Sequence, residues 1–369
     1  MEDVKQETDQ EPLVWCLLGR KPGDNAQVRA LADELNFDQV EKNILAQPWE
    51  LLVHLGEGPS LLGIDRGNSS PLVPPWPDLV ISAGRRNEPV ARWIQHKSRG
   101  KTRLVHIGRP WAPLYCYDLI VTTPQYFLPR QYNVHYNLLP LQRHMPYELD
   151  QAAESLPAMV QDLPRPWIVL LAGGDSGKFV FTTEKAARLG VLASQLAKAN
   201  KGSLLVTDSR RTPVAAGDAL EKNLTVPHFC YRWGRDKGTV NPYLGFLSKA
   251  DAFVVTGESM SMVGESCGRG KPLYIFDMAD AEDKPWWTYR HNFRSKPLSH
   301  RLLMKLGPQR MGREIGNMVN ALVESGAASW LDEAVTSLQL PATRHTGEPS
   351  TNAELKATAA AVRRLLKQR

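Results

Sequence analysis

Trp167-Ile-Val-Leu-Leu-Ala-Gly-Gly-Asp-Ser176 sets an apolar run against a pair of glycines, and a helical apolar pattern over Thr183 to Ala199 follows it. A buried strand that breaks on glycine and resumes as a helix is the opening half of a βαβ unit. The pattern repeats downstream. Ser203-Leu-Leu-Val-Thr207 leads into a helix over Thr212 to Asn223, and Asp251-Ala-Phe-Val-Val-Thr256 into one over Ser259 to Gly268, before the strand Lys271-Pro-Leu-Tyr-Ile-Phe276. It also repeats upstream. Leu13-Val-Trp-Cys-Leu-Leu18 runs into the loop Gly19–Asn25 and a helix over Ala26 to Leu35. Asp78–Ala83, Arg103–Ile107 and Asp118–Thr122 read as further strands, with a crossover helix beginning at Pro89 to Gln95. Apolar runs of this length, separated by helices, are what a parallel sheet covered on both faces requires.

The chain therefore reads as two α/β halves. The expected division is a disordered start at 1–11, a first domain at 12–161, a second at 167–335 and a last helix at 351–369. Asp162-Leu-Pro-Arg-Pro166 reads as the linker, and 48–76, rich in Gly, Pro and Trp, as irregular chain with short helical pieces. Beyond Ala279 the pattern becomes helical around Leu302–Leu306 and Ile315–Val323, with a turn at Pro341–Ser350.

A length of 369 residues fits two domains. The start, MEDVKQETDQEP, lacks the apolar core of a secretory signal, and no run approaches the 18 apolar residues of a membrane span. Four scattered cysteines without a CxxC pair point to a reducing, cytoplasmic setting. The histidines have no metal-ligand cadence, so no metal site is expected. Lys+Arg 45 against Asp+Glu 39 leaves a modest +6. That excess permits an anionic partner without selecting nucleic acid.

Three loops of the second half carry anion-binding chemistry. Gly173 and Gly174, with Ser176 and Lys178, form a loop whose N–H groups and side chains can cradle a phosphate, although neither GxxxxGK[ST] nor GxGxxG is present. Thr207-Asp-Ser-Arg-Arg-Thr-Pro213 offers Thr207 and Ser209, and Arg210 or Arg211 to fork onto a phosphate, while Ser209 or Thr212 is also placed to cap a helix. Glu258-Ser-Met-Ser261 opens a helix from which Glu265 follows two turns on, a carboxylate suited to sugar hydroxyls. In the first half, Asp24 and Glu88 follow strands and are the candidate general bases. From Arg85 to Arg109 there are eight Lys or Arg and one acid, the clearest charge asymmetry in the chain and a surface for an anionic acceptor or a membrane face.

Gly173-Gly-Asp-Ser, Leu204-Leu-Val-Thr-Asp-Ser-Arg-Arg-Thr-Pro213, Asn241-Pro-Tyr243 and Val255-Thr-Gly-Glu-Ser-Met-Ser-Met-Val-Gly-Glu265 with Gly270-Lys-Pro272 resemble the ELM1-like family, also called mitochondrial fission ELM1 proteins. The likeness runs over about 12–335 and takes in Trp15, Gly19, Gly23, Gln27 and Val80–Arg86. It implies a GT-B-like fold: two Rossmann-like domains facing across a cleft, with a C-terminal crossover helix. It also implies a glycosyltransferase that needs no obligatory metal. The donor is a UDP-, GDP- or ADP-linked sugar held by Gly173, Gly174, Ser176, Lys178, Thr207, Ser209, Arg210, Arg211, Glu258, Ser259, Met260, Ser261 and Glu265. The acceptor is a cell-surface polysaccharide, lipooligosaccharide or lipid-linked glycan on the first domain, at the inner face of the membrane. The alternatives are a non-catalytic, membrane-associated interaction protein and an enzyme that modifies nucleotide-sugars. An older epimerase label for the family fits poorly, since no Tyr-xxx-Lys pair occurs in the chain.

Overall fold

The computed structural model describes residues 11–49, 58–143, 146–176, 179–236, 238–279, 314–338 and 351–368. The expected helix at Leu302–Leu306, the turn at 341–350 and most of the 1–11 start lie outside them. The chain divides into two compact units. The first holds the residues up to Thr122, Leu128–Asn137 and those from Leu355 on, and the second holds Thr123–Phe127 and Leu138–Glu354.

In the first unit, β1 (Val14–Leu18), β2 (Gln39–Asn43), β3 (Leu79–Ala83), β4 (Arg103–Ile107), β5 (Leu119–Thr122) and β6 (Val134–Tyr136) form one sheet in the order β2-β1-β3-β4-β5-β6. Every pairing is parallel. Helices α1 (Pro22–Leu35) and α2 (Glu88–Lys97) make the first crossovers. Helix α1 starts earlier than expected and takes in Asp24 and Asn25, because Pro22 occupies its first turn, where a missing N–H costs nothing. On one face Val90, Ala91 and Ile94 of α2 pack with Leu17, Val80, Leu104 and Ile120. Trp15, Trp76 and Trp93 extend this core, with successive ring centroids 5.9 Å apart.

The second unit holds β7 (Trp167–Leu171), β8 (Ser203–Thr207), β9 (His228–Tyr231), β10 (Ala252–Thr256), β11 (Leu273–Phe276) and β12 (Ser329–Trp330), in the order β12-β11-β10-β7-β8-β9. This is the doubly wound arrangement of a dinucleotide-binding fold. Its helices are α3 (Pro146–Glu154), α4 (Ala158–Gln161), α5 (Thr183–Ala199), α6 (Val214–Lys222), α7 (Tyr243–Lys249), α8 (Met260–Cys267) and α9 (Ile315–Glu324). The five central residues of β7, β8 and β10 are buried throughout, which accounts for their unbroken apolar runs.

The last helix, α10 (Thr351–Lys367), returns to the first unit. Leu355, Ala359 and Val362 are buried, Asn137 Nδ2 donates to Thr358 Oγ1 at 2.9 Å, and Arg363 donates to the carbonyls of Glu34 and Leu35 at the end of α1. Two Rossmann-like units with a C-terminal helix that crosses back give the chain a GT-B-like α/β fold.

Four strands escape the sequence reading: β2, β6, β9 and β12. They are the four sheet edges. Their residues are largely exposed or half-buried, as in Gln-Val-Glu-Lys-Asn of β2, so no apolar run marks them.

Candidate functional site

An open parallel sheet binds ligands beyond the carboxyl ends of its strands, where neighbouring connections leave in opposite directions. In the second unit that point lies between β7 and β10, and the loops after β7, β8 and β10 meet there. Glu258 enters from the β10 side with its side chain fully buried. Its Oε1 accepts the Gly174 N–H at 2.6 Å, and the Thr256 hydroxyl accepts the Gly173 N–H at 2.8 Å. The two glycines are required by this packing. A Cβ at Gly173 would lie 1.8 Å from Glu258 Oε1, and one at Gly174 would lie 2.2 Å from the backbone of Arg211.

The N–H groups expected to cradle a phosphate are thus already engaged. Besides those of Gly173 and Gly174, the Asp175 N–H donates to the Arg211 carbonyl at 3.2 Å and the Ser176 N–H to the Phe179 carbonyl at 3.0 Å. Lys178 lies outside the described residues. The glycine loop is a packing device for the neighbouring loops, which leaves side chains to meet an anion.

Arg211 is the central one. Its guanidinium, 38% exposed, donates to the Asp175 carbonyl and to Ser259 Oγ, each at 3.3 Å, and lies 3.7 Å from Glu258 Oε1. The turn beneath it is tied by hydroxyls: Ser209 Oγ accepts the Arg211 N–H at 3.2 Å, and Thr212 Oγ1 donates to the Gly173 carbonyl. Arg210 is exposed beside it. Ser259 sits at the N-cap of α8, but its hydroxyl makes no capping bond, so the first-turn N–H groups keep their partial positive charge.

The remaining expected residues have other placements. Thr207 is buried at the end of β8, with its hydroxyl directed at the Asp208 carbonyl. Met260 belongs to the hydrophobic core. Ser261 is exposed, and its carbonyl accepts from Gln142 Nε2 at 3.0 Å. Glu265 accepts a hydrogen bond from the Tyr243 hydroxyl, which ties α8 to α7.

The sequence reading misses the charged anchor beside the site. Arg232, 5% exposed, donates to Asp208 at 2.7 Å, Asp218 at 3.0 Å and Glu221 at 3.1 Å. Gly217 makes room for it, since a Cβ there would lie 1.9 Å from the guanidinium. Arg232 follows the unrecognised edge strand β9, so nothing in the sequence placed it opposite Asp208.

In the first unit the corresponding point lies between β1 and β3. Asp24, with its side chain 31% exposed, rests on Gly84; a Cβ there would lie 2.6 Å from Asp24 Oδ2, and Gly84 has φ +70°. Glu88 behaves differently from the base expected of it. It is 1% exposed, and its carboxylate accepts the N–H groups of Trp111 and Ala112 at 2.9 Å and the Tyr117 hydroxyl at 3.3 Å. Burial pushes its carboxyl up from 4.5 to about 7 against these donors. It anchors the loop after β4 and has no open side from which to take a substrate proton. Nearby, His106 is buried against Ser82 at 3.0 Å, and desolvation pulls its ring down to about 3.

The basic run 85–109 is not one patch. Arg85 and Arg86 follow β3 at the carboxyl end of the sheet, whereas Arg99, Lys101 and Arg103 lie at the amino end of β4, a helix length of about 15 Å away. Arg103 pairs with Asp118 at 2.8 Å, and Lys97 lies over the Trp93 ring. What stays at the carboxyl end is Arg85, stacked 4.7 Å over Trp111, with Arg86 and Arg109. Among the described residues, no three His, Cys, Asp or Glu side chains gather as a metal-holding group.

Comparison with known proteins adds relatives to this geometry. An uncharacterized protein of Rickettsia prowazekii (strain Madrid E) is 22% identical over 347 residues, which cover 84% of this chain and 92% of that protein. The mitochondrial fission protein ELM1 of Arabidopsis thaliana is 27% identical over 222 residues, 54% of this chain and 51% of that protein. Among solved structures, ADP-heptose lps heptosyltransferase II of E. coli is 12% identical, with a TM-score of 0.41 over 96% of this chain and 98% of that one. A family model described as mitochondrial fission ELM1 matches residues 22–368. That match runs from the first helix to the last, through the whole second sheet and the three loops around Arg211, and the chain belongs to the mitochondrial fission ELM1 family.

Proposed function

We propose that the protein is a glycosyltransferase that moves a sugar from a nucleotide-sugar to a cell-surface polysaccharide, lipooligosaccharide or lipid-linked acceptor. The observation that carries this reading is the convergence on Arg211. One half-exposed guanidinium, the Ser259 hydroxyl, the uncapped N-terminus of α8 and the exposed Arg210 meet at the point where a doubly wound sheet binds ligands. A leaving nucleoside diphosphate develops negative charge as the glycosidic bond breaks. Fixed cationic and N–H groups placed there stabilise it without rearranging, and they supply positive charge without calling on a metal. The acceptor binds at the carboxyl end of the first sheet, where Arg20 and Arg85 attract an anionic glycan and Asp24 takes the proton of its attacking hydroxyl. Four scattered cysteines without a CxxC pair support a reducing compartment, and we place the reaction in the cytoplasm at the inner face of the membrane.

Titration calorimetry with UDP-, GDP- and ADP-sugars tests the donor site. One of them binds, and Arg210→Ala weakens it by about tenfold, the worth of one charge-assisted hydrogen bond. Binding of none of them, together with unimpaired cellular function in Arg211→Ala, would overturn the reading. The same result would favour a non-catalytic interaction protein, a reading supported by the internally satisfied N–H groups of residues 173–176.

A further inference from the structure

Glu258 is in an expensive position. Its side chain is fully buried; Oε1 has the Gly174 N–H and, 3.7 Å away, Arg211, while Oε2 has no hydrogen-bond partner. A buried carboxylate with a bare oxygen stays ionised only when a counter-charge compensates its lost hydration. Burial pushes its carboxyl up from the ordinary value, and the Arg211 guanidinium pulls it back most, followed by the Gly174 N–H, the Thr256 hydroxyl and its own N–H.

Of the other charges near this point, the carboxylates are held by neighbouring groups and Arg210 faces solvent. From the β7 loop, the Asp175 carboxylate accepts the Phe181 N–H at 2.9 Å. From the β8 loop, Asp208 is bound to Arg232, and Arg210 is exposed. After β11, Asp277 accepts the Ala279 N–H at 2.8 Å. The first turn of α8, Met260-Ser-Met-Val263, carries no charge.

Arg211 is therefore shared. It neutralises Glu258 from within, and it is the group that a bound diphosphate would recruit. An anion on Arg211 weakens its hold on Glu258 and adds a second negative charge nearby, and both changes favour the protonated carboxyl. We propose that Glu258 is a positioning residue that holds Arg211 in place while the site is empty and takes up one proton from solvent when a nucleoside diphosphate group binds Arg211. This rests on the donor site proposed above. The balance is simple: the ligand arrives as an anion, the proton comes from the buffer and ends on the Glu258 carboxyl, and no other bond forms or breaks. Donor affinity then falls as pH rises, by up to tenfold per unit over the range where Glu258 is ionised in the empty protein and protonated in the complex.

The test is calorimetry of the full chain with UDP-, GDP- and ADP-glucose in buffers of low and high ionisation enthalpy, between about pH 6 and 9. The diphosphate of a nucleotide-sugar has no terminal proton to exchange, and ADP-glucose, whose adenine does not titrate in this window, separates uptake by the protein from the ring N–H protons that uracil and guanine begin to lose at its alkaline end. The expected result is proton uptake that passes through a maximum of up to one proton per ligand where Glu258 is ionised in the empty protein and protonated in the complex, and that is absent in Glu258→Gln, whose amide oxygen still accepts from Gly174. An infrared difference spectrum of the unsubstituted protein supplies a second measurement, in which a protonated-carboxyl band appears on binding. Sugar-nucleotide binding without proton uptake and without that band overturns the proposal and leaves the donor site standing. Failure of every nucleotide-sugar to bind overturns both.

Discussion

Glu88 offers a pH test of the first unit. Its carboxyl titrates near 7 in the fold against 4.5 as an ordinary glutamate, chiefly because burial penalises the charge. Between those values the native state holds a proton that the unfolded chain has lost. The stability this proton contributes is fully present below about pH 4.5 and is lost as pH rises to about 7, a change of roughly 3 kcal/mol. His106 acts in the opposite direction. Its ring is pulled down to about 3, so the unfolded chain binds the extra proton and stability rises as pH climbs from about 3 to 6.5. The two effects oppose one another in the unsubstituted protein, and a raw pH profile would hide both. Glu88→Gln separates them: it keeps an oxygen for the N–H groups of Trp111 and Ala112, does not titrate, and leaves His106 in place. The assay is amide hydrogen exchange at Trp111 and Ala112, with urea denaturation alongside, in steps from about pH 5 to 8. The opening free energy of the unsubstituted protein should fall relative to the Gln variant by about 2.5 kcal/mol across this window. Parallel profiles for the two proteins would refute the reasoning, because they would mean that Glu88 is ionised throughout.

Two further substitutions test the second unit. Gly174→Ala places a methyl 2.2 Å from the Arg211 backbone, which cannot swing aside as a side chain would, so urea denaturation should show a loss of about 3 kcal/mol or more, and Arg211 should lose its anion affinity. Gly67→Ala, whose nearest neighbour would be 3.6 Å away, is the control and should change stability by less than about 0.5 kcal/mol. Arg232→Ala strands the nearly buried Asp208 and should cost about 3–5 kcal/mol, part of it restored by adding Asp208→Asn. Arg235→Ala, at a half-exposed guanidinium, should cost about 1 kcal/mol or less by the same measurement.

The sheet centres were legible in the sequence, and the sheet edges were not. Leu79–Ala83 and Ala252–Thr256 are buried at every position, so burial writes itself into an apolar run. Gln39–Asn43 pairs on one side only and spends its residues on solvent and on ion pairs such as Arg29 with Glu41. Missing β9 carried a further cost, because its end places Arg232 against Asp208. The run 85–109 shows the reverse error. Adjacency in sequence suggested one basic surface, but a crossover helix separates its two ends along the sheet.

The glycine loops show most sharply where local reading stops. In each unit a carboxylate from one side of the switch point lies on a glycine from the other: Asp24 on Gly84 between β1 and β3, and Glu258 on Gly173 between β7 and β10. A glycine after a strand therefore does not by itself mark a phosphate; here it marks a side chain from about sixty residues before it (Asp24 on Gly84) or about eighty-five after it (Glu258 on Gly173), which a local pattern cannot reveal. What distinguishes the two points is charge. Asp24 stays partly exposed, where a base can reach a substrate, whereas Glu258 is buried and must share Arg211 with whatever anion the loop admits. The same packing solution thus leaves the first unit with a partly exposed carboxylate and the second with a partly exposed cation, a division of charge that the proposed transfer from an anionic donor would use.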